Sequence, residues 1–431
     1  MANDPNNLAI FNRPKLERER YRRAILASAV LGFTFHLLLV SRLTELFPFL
    51  GFLRPLALAV IILTSVFGVA MCLDPKRIGA GIAGIAFLLA VPLAVYNFDV
   101  RTAQPFVLSS GGYYYGIGLV GLFVAVARLE GGLERFLRIA FWICVAYILI
   151  YVVVAPLLAG GYLTLPEDSA LLVAEDKTSG RSARVVLAST HAAFVLGVAL
   201  ASLMQRFEWK HLMVVALALV ALLLAQSRLI TVIILLILIA YFVSRRITLL
   251  GILSFIFFLA ALSVSMVIAF SDMNPFENFA SDQSGWARWQ DVEIVHRTIA
   301  NYWILGAGVA AGEDGYMPFT KVDYFFPGDI GLIGQHFNFG VLGMIVYTAQ
   351  AYGACFSKAT LSAIGVDTRL STGLALAGII SVCYSILAPV FAGGSATVFG
   401  SIFLAILPYA PAIGFWRRRD MGRFGVAVAR R

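Results

Sequence analysis

The chain has 431 residues, of which 60% are hydrophobic and only 13% charged, and it carries a formal net charge of +9. This composition excludes a soluble domain of this size and points to a polytopic α-helical membrane protein. Several apolar runs reach the roughly 18–20 residues that cross a bilayer, and a β-barrel would show short alternating segments instead. The basic residues gather at segment ends, as membrane topology requires, which sets aside nucleic-acid binding.

Residues 1–23 form a basic N-terminal segment, with a cluster from Arg13 to Arg23. The apolar run that follows is long and no small-residue cleavage site ends it, so a cleavable signal peptide is not expected. Twelve spans are predicted, near 24–43, 50–72, 78–96, 107–127, 136–158, 184–205, 211–226, 229–244, 247–270, 329–356, 370–392 and 396–416, followed by a basic tail at 417–431. Alternate connections should be basic if the N-terminus is cytoplasmic. They are: Lys76-Arg77, Arg128 to Arg138, Arg206 to Lys210, Arg245-Arg246, Lys358 to Arg369 and Arg417 to Arg419. Both termini are therefore expected in the cytoplasm. The loops 159–183 and 271–328, rich in Asp and Glu, are expected on the opposite side. A single long helix over 211–244 is the alternative to the tight turn at Gln226-Ser-Arg228, and it would invert everything downstream.

The four cysteines, Cys72, Cys144, Cys355 and Cys383, lie in apolar segments without metal or disulfide spacing. The Gly111-Gly112-Tyr-Tyr-Tyr115 segment reads as packing plus an interfacial aromatic girdle.

Two outer-side arginines, Arg181 and Arg184, run against the charge bias where loop 159–183 meets the sixth span. Arg228 opens the eighth span, where it serves either as a topological anchor or as a phosphate contact. In the long loop, Trp286, Trp289, Val292, Val295, Ile299 and Tyr302 form a helical stripe. They predict an amphipathic helix on the outer surface with its aromatics at headgroup level. Arg288 and Arg297 on that helix are nine residues apart. At about 100° per residue they point to opposite sides. Arginine suits a diphosphate because its planar fork makes paired, charge-assisted hydrogen bonds. Asp329 follows Pro327-Gly328 at the outer mouth of a span, where it serves either as a proton acceptor for an attacking hydroxyl or as a helix cap. Asp323 and Glu313 are weaker candidates on the same loop. The five histidines are dispersed, and no metal-binding, nucleophile-elbow or nucleotide-binding motif is present.

In order and spacing, three elements over roughly residues 180–345 resemble the O-antigen polymerase and ligase superfamily of bacterial polysaccharide enzymes. Ser227-Arg228 opens a helix. Arg288 precedes Gly306-Ala-Gly308, with Tyr302-Trp-Ile-Leu305 in place of the usual Pro-Leu-Leu. Asp329-Ile-Gly-Leu-Ile-Gly334 then leads to Gly340-Val-Leu-Gly343. Ligases of that superfamily place a histidine eleven residues before the first of those last glycines; here the position is Asp329, and His336 lies seven residues later. The chain is thus more similar to a Wzy-type polymerase than to a ligase.

The resemblance implies an all-α integral membrane glycosyltransferase of GT-C-like architecture, with about twelve transmembrane helices and a long periplasmic loop. Its expected reaction joins undecaprenyl-diphosphate-linked oligosaccharide repeats into O-antigen, capsule or exopolysaccharide at the inner membrane, with release of undecaprenyl diphosphate. Arg184, Arg288 and Asp329 are the expected catalytic residues, and Arg181, Arg228, Arg297, Asp323 and His336 the substrate-binding ones. No metal or other cofactor is expected. The expected partners are the lipid-linked oligosaccharide, the bilayer, and a chain-length regulator and flippase of the same pathway. A ligase moving glycan to lipid A core or protein, and a lipid-linked sugar flippase, are the competing readings.

Overall fold

A computed structural model describes residues 15–46, 51–72, 78–102, 112–163, 165, 171–173, 184–225, 228–271, 273–279, 283–310, 315–322, 325–388, 391 and 396–409. The chain is almost wholly helical: α1 (Lys15–Ser41), α2 (Leu53–Met71), α3 (Ile78–Thr102), a 3-10 segment (Gly112–Leu119) leading into α4 (Val120–Ala127), α5 (Gly132–Ala159), α6 (Ser189–Gln205), α7 (Trp209–Leu224), α8 (Arg228–Ser244), α9 (Ile247–Ala269), α10 (Gln283–Thr298), α11 (Gly331–Ala363), α12 (Thr368–Tyr384) and α13 (Thr397–Ile406). Among the described residues six helices are long and apolar enough to cross a membrane, and six shorter apolar helices accompany them. Each predicted span overlaps one of these apolar helices.

Three boundaries differ from the sequence reading. Residues 112–119 are a 3-10 segment, in which Gly116 presses against the His36 ring, where a Cβ would lie 2.5 Å from Cδ2. Tyr115 there is buried and Tyr114 half-buried, so neither belongs to an exposed girdle. The sixth helix begins at Ser189, not at 184, because Arg184–Val185 (β2) pairs antiparallel with Leu172–Val173 (β1). At 211–244 the chain reverses. Val215 and Leu219 of α7 line one groove with Ile239 and Phe242 of α8, which a single straight helix would hold far apart.

The core gathers around α6, α11, α12 and α13, with small residues letting backbones approach. At Gly197 an added Cβ would lie 3.0 Å from the Gly373 carbonyl across the α6–α12 contact.

The two ends of the bundle differ in character. At one end Arg22 pairs with Glu130 at 3.6 Å, Glu208 pairs with Arg206 and Lys210, and Arg369 feels the fields of Glu208 and Glu134. These connections belong to the set with basic residues. Helix α11 runs from there to the opposite end, where α10 and residues 303–309 and 325–330 pack.

Helix α11 is broken at Gly340, whose φ of 60° and ψ of −161° lie outside the helical range. A break leaves backbone groups unpaired, which is costly at membrane depth unless other protein groups replace them. Segment 303–309 supplies the replacements. Ala307 N–H donates to Phe337 O at 2.7 Å, and Gly308 N–H donates to Asn338 O at 3.1 Å. In return Val341 N–H donates to Trp303 O at 2.8 Å. The two backbones come so close that a Cβ on Gly306 would collide with the Asn338 carbonyl, and one on Gly340 with that of Ile304. This exchange locks the middle of the long loop into the side of α11.

Candidate functional site

A cleft of about 730 Å³ lies between α3 and α11, and Leu305 of the 303–309 segment closes one side of it. Its walls are mainly apolar, from Val91 and Ala94 on one side to Phe339 and Val346 on the other. Leu89, Leu93, Tyr96 and Leu342 at its margins are exposed on the apolar flank of the bundle. That segment is tied to α3 by Asn97 Nδ2, which donates to Gly306 O at 3.3 Å. Inside, Gln335 and Gln350 are almost wholly buried, and Gln335 Oε1 and Gln350 Nε2 have no protein partner. The space therefore suits a lipid chain and offers it a few hydrogen-bonding groups.

The same loop carries a charged cluster. Helix α10 turns Val292, Val295 and Ile299 into a small second core with Ile330, Ile333 and Phe337. Trp286 of the predicted stripe is exposed instead. One turn after the half-buried Arg288 comes Asp291, which is only 3% exposed. Phe326 N–H donates to Asp291 Oδ1 at 3.4 Å, and Asp329 N–H donates to Phe326 O at 2.8 Å. Asp291 thereby seats the turn that presents the exposed Asp329. Burial pushes the Asp291 carboxyl up to about 7; the Phe326 hydrogen bond opposes this, the Asp329 charge adds to it, and the Arg288 guanidinium opposes it. Arg288 Nε is buried with no partner in the protein, so the cluster retains an unfilled cationic donor.

Asp291 escaped the sequence reading, which searched the apolar stripe for aromatics and the rest of the helix for arginines. Two signals mark it. It lies one turn from Arg288, and it shares its face with Val295 and Ile299 at spacings of four, a carboxylate on an apolar side.

The remaining predicted residues fall in different places. Arg297 is exposed on α10. Asp329 does not cap α11: the N-cap position is Ile330 and makes no side-chain cap bond, while Asp329 sits in the preceding 3-10 turn, Pro327–Ile330. His336 is buried, and its Nε2 is 3.1 Å from Trp303 O, so it ties the 303–309 segment to α11 as a packing group. The backbone of Arg184 is held in β2 against α5. Tyr151 OH donates to Val185 O, and Ala188 N–H donates to Tyr147 OH, both at 2.9 Å. The side chains of Arg184 and Arg228, and all of Arg181 and Asp323, lie outside the described residues.

No protein-family model, no curated protein and no solved structure matches the chain.

Proposed function

We propose that the chain is a twelve-span inner-membrane glycosyltransferase that polymerises undecaprenyl-diphosphate-linked oligosaccharide repeats on the periplasmic side. The observation that carries this reading is the cleft: an apolar space open along the flank of the bundle, closed on one side by the loop that also bears Arg288, Asp291 and Asp329. A lipid-linked glycan needs an apolar groove for its chain and a cation for its diphosphate; the cleft is the proposed groove, and Arg288, on the same loop as Leu305 of the cleft wall, is the proposed cation.

In the proposed reaction a sugar hydroxyl on one lipid-linked repeat attacks the anomeric carbon of another. Asp329 takes the hydroxyl proton as the new glycosidic bond forms. The bond from the anomeric carbon to the diphosphate breaks, and its electron pair leaves with undecaprenyl diphosphate. Arg288 stabilises that growing charge, and Arg184, on the second outer loop, is its proposed partner. The proposed sidedness places both termini in the cytoplasm. A periplasm-active reporter inserted near Glu313 should be active, and one fused at Arg431 silent; the reverse would misplace every residue in this scheme.

Deletion of the gene tests the function. A polymerase leaves single repeats on the lipid or on the final acceptor, with long polymer absent. Long polymer accumulating on undecaprenyl diphosphate would identify a ligase instead, and repeats trapped on the cytoplasmic face a flippase.

A further inference from the structure

Asp291 has no assigned role in the proposed transfer, yet its surroundings are unusual for a carboxyl. It is buried in the second core, hydrogen-bonded to the turn that carries Asp329, and within the electrostatic reach of both Asp329 and Arg288. Resting on the reading of a diphosphate-linked donor, we propose that Asp291 is a positioning residue whose charge state sets how tightly Arg288 holds the diphosphate.

When Asp291 is neutral, Arg288 has its full positive charge available for the anionic donor. When Asp291 ionises, it sits one turn from the guanidinium, offsets part of its charge, and adds repulsion against the incoming diphosphate. Burial places that switch near neutral pH, at about 7, within the range in which a bacterium lives. The other charged or titratable groups on the packed elements are Glu293, His296 and Arg297 on α10, Glu277 on the preceding 3-10 turn, Tyr302, Tyr316 and Lys321 on the loop segments of the second core, and Asp329 and His336 on the α11 side. Glu293 accepts from Asn274 Nδ2 at 3.1 Å, His296 is engaged with Ile268 O at 2.7 Å, and Arg297 is exposed. Among the described residues, Asp329 is the charged group that raises the proton affinity of Asp291 further.

The sign follows directly. Donor affinity is highest below pH 7 and falls as pH rises through the Asp291 transition. The test uses purified full-length protein and undecaprenyl-diphosphate-linked N-acetylglucosamine, whose diphosphate is esterified at both ends and does not titrate in this range. Between about pH 6 and 8 the wild-type Kd should weaken roughly tenfold, the scale of one added like charge at this range. Asp291→Asn keeps the size and the acceptor for Phe326 N–H, so its Kd should stay flat and tight. Asp291→Ala should also lose the pH limb but present Asp329 poorly, with kcat reduced. Infrared difference spectra supply a readout that needs no substrate: a protonated-carboxyl band should titrate near neutrality in the wild type and be absent from Asp291→Asn. An alkaline limb in Asp291→Asn equal to that of the wild type, or an unchanged carboxyl band, would overturn the proposal. A titrating band in a protein that does not bind the lipid-linked sugar would leave the Asp291 carboxyl assignment standing and remove the diphosphate reading.

Discussion

Arg288→Ala is expected to lower polymer formation by about 10²–10³-fold at normal protein abundance, the loss seen when one donor to a developing anion is removed. Arg288→Lys should fail almost as badly. Lysine keeps the charge but loses the planar fork that grips two phosphate oxygens at once. The position explains why the guanidinium matters: it is half-buried beside Asp291, and its Nε lacks a protein partner. Arg297→Ala supplies the internal control. It removes the same charge from the same helix, but from an exposed site, and should have a milder effect than Arg288→Ala. Glycan ladders resolved on gels, together with immunoblots for abundance, measure all three. Full-length polymer from Arg288→Ala would remove this residue from the reaction.

Asp329→Asn should cost on the order of 10²–10⁴-fold, the usual contribution of a general base. The amide preserves shape and hydrogen-bonding capacity but cannot take the hydroxyl proton. Had Asp329 been a helix cap, asparagine would replace it almost without loss. The structure makes that outcome less expected, because α11 begins at Gly331 with Ile330 at its N-cap position and no side-chain cap bond. Single-turnover measurements with saturating lipid-linked donor isolate the step. A rate equal to wild type would move the base role to Asp323 or another loop carboxylate.

What the sequence revealed and what it concealed divide along physical lines. The apolar helices were legible because a bilayer demands long runs of one polarity, and such runs stand out residue by residue. The helix at 283–298 was legible from its 3.6-residue stripe, since Val292, Val295 and Ile299 are buried on one side. The start of the sixth helix was not. Val185 and Leu187 look as apolar as the helix they precede, and only pairing with Leu172–Val173 makes the segment extended. The break at Gly340 was concealed for a similar reason. A glycine inside an apolar run is consistent with a continuous helix, and what stabilises the kink is backbone from residues 303–309, more than thirty positions away. The placing of Leu305 against the cleft follows from that long-range exchange. Asp291 was hidden because burial, which gives it its character, comes from Phe326 and the second core rather than from its neighbours in sequence.

The proposed transfer between lipid-linked repeats can be measured with the purified protein alone, reconstituted in liposomes with an undecaprenyl-diphosphate-linked repeat in excess chelator. The expected result is a ladder of products lengthening by one repeat at a time, one undecaprenyl diphosphate released per bond formed, and no requirement for added magnesium or manganese. Repeats that stay single, whether or not they cross the bilayer, would contradict it.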